Sequence, residues 1–135
     1  MESPEKKKRI LVVEDEEDMA DLVTARLESN GFEVHAAASG KTALTYAAEH
    51  RPDLVILDLQ LPDIHGYQVC QELRRIYHPW DVPILMLTVM SQPVDQLRGF
   101  AHGAEAYLTK PFDPPELLKT VKLLLGRGEE QALGR

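Results

Sequence analysis

Four short stretches of this chain each run into a side chain able to bind a cation or take part in nucleophilic chemistry. Ile10-Leu11-Val12-Val13 is followed by Glu14 and Asp15, and Leu54-Val55-Ile56-Leu57 by Asp58. Ile84-Leu85-Met86-Leu87 is followed by Thr88, and the segment 106–109 by Lys110. If these are parallel strands of one sheet, the residues after them share its carboxyl edge, where ligands of open α/β sheets bind. Three carboxylates, one hydroxyl and one ammonium would then converge in a shallow crevice. Crowded carboxylates raise one another's pKa. A hard divalent cation relieves that repulsion, and magnesium (Mg2+) suits the set because it takes oxygen ligands and keeps several waters. The lysine and threonine point to an anionic substrate beside the metal. A phosphoryl group fits, since metal, ammonium and hydroxyl together neutralise its oxygens, and a carboxylate can itself be the acceptor. Taken singly, each residue is more commonly a turn residue, a cap or a solvated side chain. Their joint placement on one edge is what sets them apart.

The elements that must position them alternate along the whole chain. The short branched apolar runs read as strands buried on both faces, with a further strand over 32–36. Met19, Leu22, Val23 and Leu27 recur at helical spacing, and Asn30-Gly31 is a helix stop. Ser39 can cap a helix reaching about Glu49. Val69, Cys70, Leu73, Ile76 and Tyr77 form a third helical stripe, and Val94, Leu97, Phe100 and Ala101 a fourth. Asp113-Pro114-Pro115-Glu116 opens the last helix with an N-cap, a first-turn proline and a reciprocal capping glutamate. Leu117, Leu118, Val121, Leu124 and Leu125 give its buried face, and Gly126 is expected to end it. Five βα units imply a parallel sheet with helices on both sides.

Composition narrows the function classes. The 135 residues suit one domain, and the 44% hydrophobic content suits a packed core. A net charge of -7 argues against direct nucleic-acid contact, which wants a basic face. The run Lys6-Lys7-Lys8-Arg9 reads as a solvated lead-in to the first strand. Cys70 is the only cysteine, which fits a reducing compartment, and it sits on a core stripe as a small hydrophobe. The N-terminus does not read as a signal peptide, and no apolar run approaches the roughly 20 residues of a membrane span. The expectation is a cytoplasmic domain. The five histidines lack metal-ligand spacing, and Trp80 reads as a loop anchor.

Against this background the chain resembles the response-regulator receiver domains of two-component signalling, the CheY-like family. The stretches that carry the resemblance are ILVVEDEEDM (10–19), PDLVILDLQLPDIHG (52–66), PILMLTVM (83–90) and GAEAYLTKPF (103–112). It spans residues 9–126, with 1–8 as an N-terminal tail and 127–135 as a C-terminal tail or the start of a linker. It implies a flavodoxin-like, doubly wound five-stranded sheet in the order 2-1-3-4-5. Asp58 matches the phosphoacceptor. Glu14 and Asp15 match the acidic pair that holds magnesium with Asp58, and the backbone carbonyl of Gln60 matches a further ligand. Lys110 matches the phosphate-binding lysine, Thr88 the hydroxyl that closes on the phosphoryl group, and Tyr107 the aromatic switch. Lys110-Pro111 matches a peptide bond that is usually cis in the family.

The resemblance further implies a histidine kinase or phosphotransfer protein as donor. The response would be a change in the surface of the fourth helix, fifth strand and fifth helix, read by a downstream protein or an attached output domain. Such a domain catalyses only its own phosphorylation and dephosphorylation and is otherwise no enzyme. Three positions depart from the usual pattern: Glu14 stands for the commoner Asp, His65 for an Asp before the turn glycine, and Val89 for a small residue after Thr88. Ala106, Pro115 and Thr120 stand where the winged-helix branch carries charges that pair across its dimer, so a monomer or weak dimer is expected. Two rival readings are a pseudo-receiver, an interaction module with an inert site, and an aspartyl-phosphate phosphatase of the haloacid dehalogenase type. The latter needs Asp-x-Asp after its first strand, whereas Asp58-Leu59-Gln60 follows the third here. No Gly/Ser-rich phosphate loop of a flavin module follows the first strand.

Overall fold

A computed structural model describes residues 7–78 and 81–133, with side chains to residue 126. Trp80, the expected loop anchor, lies outside the described residues. The elements alternate as β1 (Arg9–Val13), α1 (Glu17–Glu28), β2 (Glu33–Ala37), α2 (Gly40–Glu49), β3 (Leu54–Leu57), α3 (Gly66–Ile76), β4 (Ile84–Thr88), α4 (Pro93–Ala101), β5 (Ala106–Thr109) and α5 (Pro114–Leu133). The strands form one sheet in the order β2-β1-β3-β4-β5, all pairs parallel. This is the doubly wound order expected from the sequence.

The continuous apolar runs occupy the three central strands because those positions are covered on both faces. Alternate residues divide between two cores. Leu11, Val13, Val55, Leu57, Ile84 and Met86 pack with Ala43 and Ala47 of α2 and with Val69, Cys70 and Leu73 of α3. Ile10, Val12, Leu54, Ile56, Leu85 and Leu87 pack with Val23 and Leu27 of α1 and with Leu117, Val121 and Leu124 of α5. Each buried Val, Leu, Ile or Met side chain among them contributes roughly 1.5–3 kcal/mol on full burial. The edge strands β2 and β5 lack that double cover and are partly exposed.

Local signals end the elements much as expected. Gly31 adopts a positive φ of 89° just beyond α1, the left-handed geometry that glycine reaches without a Cβ penalty. Ser39 Oγ accepts from Thr42 N at 3.2 Å and caps α2. In the amino-terminal basic run, Arg9 pairs with Glu33 at 3.3 Å.

Four expectations need correction. β2 begins at Glu33 and ends at Ala37, one residue later than expected, because its register pairs Arg9 with Glu33. Leu22 and Ile76 are exposed at the flanks of their helices rather than on the buried stripes. Gly126 does not end α5: the helix continues to Leu133, and Gly126 is not among the glycines with positive φ. A helical glycine costs only about 1 kcal/mol relative to alanine, which the strong helix formers on either side offset. The fourth correction is α4. Its Val94, Leu97 and Phe100 face solvent, while Asp95 and Gly99 face inward.

Candidate functional site

Parallel pairing brings the strand ends together on one edge. Asp58 N donates to Val13 O at 3.0 Å, Glu14 N to Ala37 O at 3.0 Å and Lys110 N to Thr88 O at 2.8 Å. The residues following the apolar runs are therefore fixed through the same ladders that form the sheet. One carboxylate oxygen each from Glu14, Asp15 and Asp58 lies within 4.8 Å of the others. Glu14 and Asp58 are each 6% exposed, whereas Asp15 opens to solvent. The cluster is an all-oxygen donor set with one side toward water, which fits a hard divalent cation.

Lys110 closes the other side. Its Nζ donates to Asp58 Oδ2 at 3.0 Å and to Glu14 Oε1. Its side chain is only 7% exposed, so burial by itself would lower its pKa. The bonds to Glu14 and Asp58 outweigh burial and hold the ammonium above its ordinary range. Glu14 shows the converse. Burial raises its pKa most, and the charge on Asp58 adds to this. The bonds from Lys110 and Glu16 N oppose the rise without cancelling it. One ammonium does not neutralise three carboxylates, and at Glu14 the charged form is disfavoured in consequence.

Thr88 is fully buried at the end of β4. Its Oγ1 accepts from Met90 N at 3.4 Å. Tyr107 Oη donates to Met90 O at 2.7 Å, so both residues hold the same loop. Burial first, then Tyr67, Asp95 and Asp58, push the Tyr107 phenol up to about 12. The Lys110-Pro111 bond is cis, as the resemblance implied. Gln60 lies in the loop after β3 and donates its N–H to Asp58 Oδ1 at 3.2 Å. Val89 is exposed, 53% accessible.

His65 is more than a loop histidine: it is the N-cap of α3, with its Nδ1 accepting from Tyr67 N at 3.1 Å. It therefore supplies the helix cap at the position where the resemblance implied an aspartate. Cys70 is a buried core residue, as expected. Burial pushes its thiol up to about 11, and its Sγ donates to His102 O at 3.2 Å.

Sequence reasoning missed two links between elements, one from the Asp58 loop and one from α3. Asp63 accepts from Gly40 N at 2.8 Å and Lys41 N at 2.9 Å, capping α2 across the crevice. Those backbone bonds hold its carboxyl below the usual range. Half-buried Arg74 of α3 pairs with Glu105 and donates to Gly103 O at 2.9 Å and Val82 O at 2.8 Å. Neither the Asp63 link to α2 nor the Arg74 link to Gly103 has a local sequence signal, because each joins residues 22 or more apart.

This geometry has known counterparts. Residues 10–122 match the family model of the response regulator receiver domain. The chain therefore belongs to that family of two-component response regulators. It is 45% identical over 119 residues to the DNA-binding dual master transcriptional regulator RpaA of Synechocystis, covering 88% of this chain and 49% of that protein. It is 43% identical over 122 residues to the alkaline phosphatase synthesis transcriptional regulatory protein PhoP of Bacillus subtilis, covering 90% and 50%. The chain thus spans about half the length of these curated relatives. Among solved structures, a CheY-like receiver domain protein from Methanospirillum hungatei superposes with a TM-score of 0.88 at 28% identity, covering 93% of this chain and 99% of that one. The chemotaxis protein CheY4 of Vibrio cholerae gives 0.82 at 34%, covering 88% and 99%. Among the described residues no helix is long and apolar enough to cross a membrane.

Proposed function

We propose that Asp58 accepts a phosphoryl group from a histidine kinase or phosphotransfer protein, and that the α4–β5–α5 surface passes the signal to a downstream protein or an attached output domain in the cytoplasm. The observation that supports this most directly is the placement of Asp58. It sits 3.0 Å from the Lys110 ammonium and within 4.8 Å of two further carboxylates. Magnesium would be held by Glu14, Asp15, Asp58 and the carbonyl of Gln60, and would supply positive charge against the incoming phosphoryl oxygens. Asp58 forms the new P–O bond as the bond to the donor imidazole breaks, and the electron pair returns to that nitrogen. Lys110 moves from carboxylate to phosphoryl oxygen. Thr88 turns its hydroxyl to the same group, which alters the Met90 loop that Tyr107 also holds. The unit turns over nothing besides its own phosphoryl group. With a net charge of -7 it contacts no nucleic acid itself; the DNA binding named for RpaA would belong to an attached segment. It acts as a monomer or weak dimer.

Incubation with acetyl phosphate and magnesium, followed by intact-mass measurement, tests this reading. One phosphoryl adduct is expected, absent from Asp58→Ala and absent in excess chelator. An adduct that persists at wild-type level in Asp58→Ala overturns the assignment.

A second expectation concerns magnesium and pH. The folded-state pKa of Glu14 is raised above its ordinary 4.5. Its contribution to the metal-free domain is thus fully present below that value and lost as pH rises through the folded pKa. A cation binds the charged carboxylates and reverses this loss. Magnesium at about ten times its dissociation constant should add about 1.4 kcal/mol. The gain should shrink as pH falls below neutrality toward 4.5. Thermal unfolding with and without magnesium across that range checks it, and a gain that grows toward acid contradicts it.

A further inference from the structure

Helix α4 meets the domain along a stripe that carries no large apolar side chain. Its inward residues are Asp95 and Gly99, and His102 is its C-cap. Two tyrosines lie against that stripe. Tyr67 of α3 donates its hydroxyl to Asp95 O at 3.2 Å and stacks on His102, the ring centroids 4.6 Å apart. Tyr107 of β5 lies over Gly99. A β-carbon at position 99 would stand 3.0 and 3.1 Å from Tyr107 Cδ2 and Cε2, and 2.8 Å from Met86 Sδ. Phe100 meets the Tyr107 ring edge-on, the centroids 6.5 Å apart.

Gly99 is not among the glycines with positive φ, so its backbone does not require glycine. In a helix interior alanine is the better residue. The reason for glycine must lie in what a side chain would strike. What it would strike is the ring whose hydroxyl holds Met90 O at 2.7 Å, beside the Thr88 bond to Met90 N.

We propose that Gly99 is a positioning residue for the phosphoryl response: the space left by its missing side chain seats the Tyr107 ring, and the size of residue 99 sets whether Tyr107 can hold Met90. The proposal rests on the reading of Thr88 and Tyr107 as the coupled switch of Asp58. A single methyl at position 99 displaces the ring even when no phosphoryl group is present. It weakens the link from Asp58 to the α4 surface without touching the phosphoacceptor.

The test uses the whole chain labelled with 3-fluorotyrosine and read by 19F NMR. Tyr107→Phe assigns the Tyr107 resonance. In Gly99→Ala that resonance should move toward the shift of solvent-exposed fluorotyrosine before any phosphoryl donor is added, with Tyr46 and Tyr77 unmoved. Acetyl phosphate and magnesium should still give the Asp58 adduct, and the displaced ring should not return. Loss of the adduct from wild type as well would count against the phosphoacceptor reading alone, because ring displacement is measured without it.

A double-mutant cycle in urea guards against a variant that merely folds poorly. Gly99→Ala should lower the unfolding midpoint in the wild-type background. It should raise the midpoint in the Tyr107→Ala background, where the methyl has room and alanine favours the helix. An unmoved Tyr107 resonance, or equal effects in the two backgrounds, means that Met86 absorbs the methyl, and the proposal is overturned. If Gly99→Ala does not fold alone, folding of the double variant supports the proposal and its failure overturns it.

Discussion

Replacing Lys110 with methionine is expected to destabilise the metal-free domain by about 3 kcal/mol at neutral pH, while Asp58→Asn is expected to stabilise it by about 1 kcal/mol. The opposite signs follow from the charge count in the crevice. Glu14 and Asp58 are buried carboxylates that share one buried ammonium. Removing Lys110 leaves both without a counter-charge, and breaking a buried pair by deleting one partner is among the costlier single changes. The cost sits at the low end of that class because Glu14, already raised, can take up a proton. Removing the charge of Asp58 instead leaves Glu14 and Lys110 as a matched pair. Both variants should lose the phosphoryl adduct, so activity and stability separate. Urea unfolding at neutral pH, with chelator present, reads the comparison. Shifts of the same sign in the two variants would rule out surplus negative charge as the governing feature of the site.

The acidic edge was legible in the sequence because two strong rules coincide there. Central parallel strands are apolar throughout, so Ile10–Val13, Leu54–Leu57 and Ile84–Leu87 stand out without any pattern analysis. The residues just after each run must then lie on one edge. Helix faces were less legible. Periodicity in α4 finds an apolar stripe at Val94, Leu97, Phe100 and Ala101, but it does not say which stripe meets the core. The sheet and helix beside α4 offer the rings of Tyr107 and Tyr67, and those accept a glycine and a carbonyl rather than branched side chains. Gly126 misled because glycine stops a helix only where the chain takes a left-handed turn, a choice made by the residues beyond it. Asp63 gave no signal since its partners Gly40 and Lys41 belong to another helix. Strand order and edge chemistry follow from local composition. Clearances and caps between elements depend on the assembled fold.

Gly66→Ala should lower stability by about 2–3 kcal/mol and slow phosphorylation of Asp58 by about 100-fold. Gly66 opens α3 immediately after the Asp58 loop, and its N–H donates to Leu59 O at 2.9 Å. A β-carbon there would stand 2.5 Å from Leu59 Cα and 2.6 Å from Asp58 O. Both are backbone atoms, so no rotamer change can relieve the overlap. The chain must move at the residue that carries the acceptor carboxylate or at the one beside it. Leu59 is fully buried and cannot give way outward. The loop is held at its other end by the bonds of Asp63 to α2. The displacement is thus forced into Asp58, whose distance from Lys110 and the acidic pair sets the reaction geometry. Gly31→Ala is the matching control. It has open space around it but a φ of +89°, so its cost of about 1–2 kcal/mol is backbone strain alone, and phosphorylation should proceed at the wild-type rate. Acetyl phosphate labelling of the two variants, each at a urea-verified folded population, compares them. Equal labelling rates would show that the loop absorbs a β-carbon at position 66 without moving Asp58.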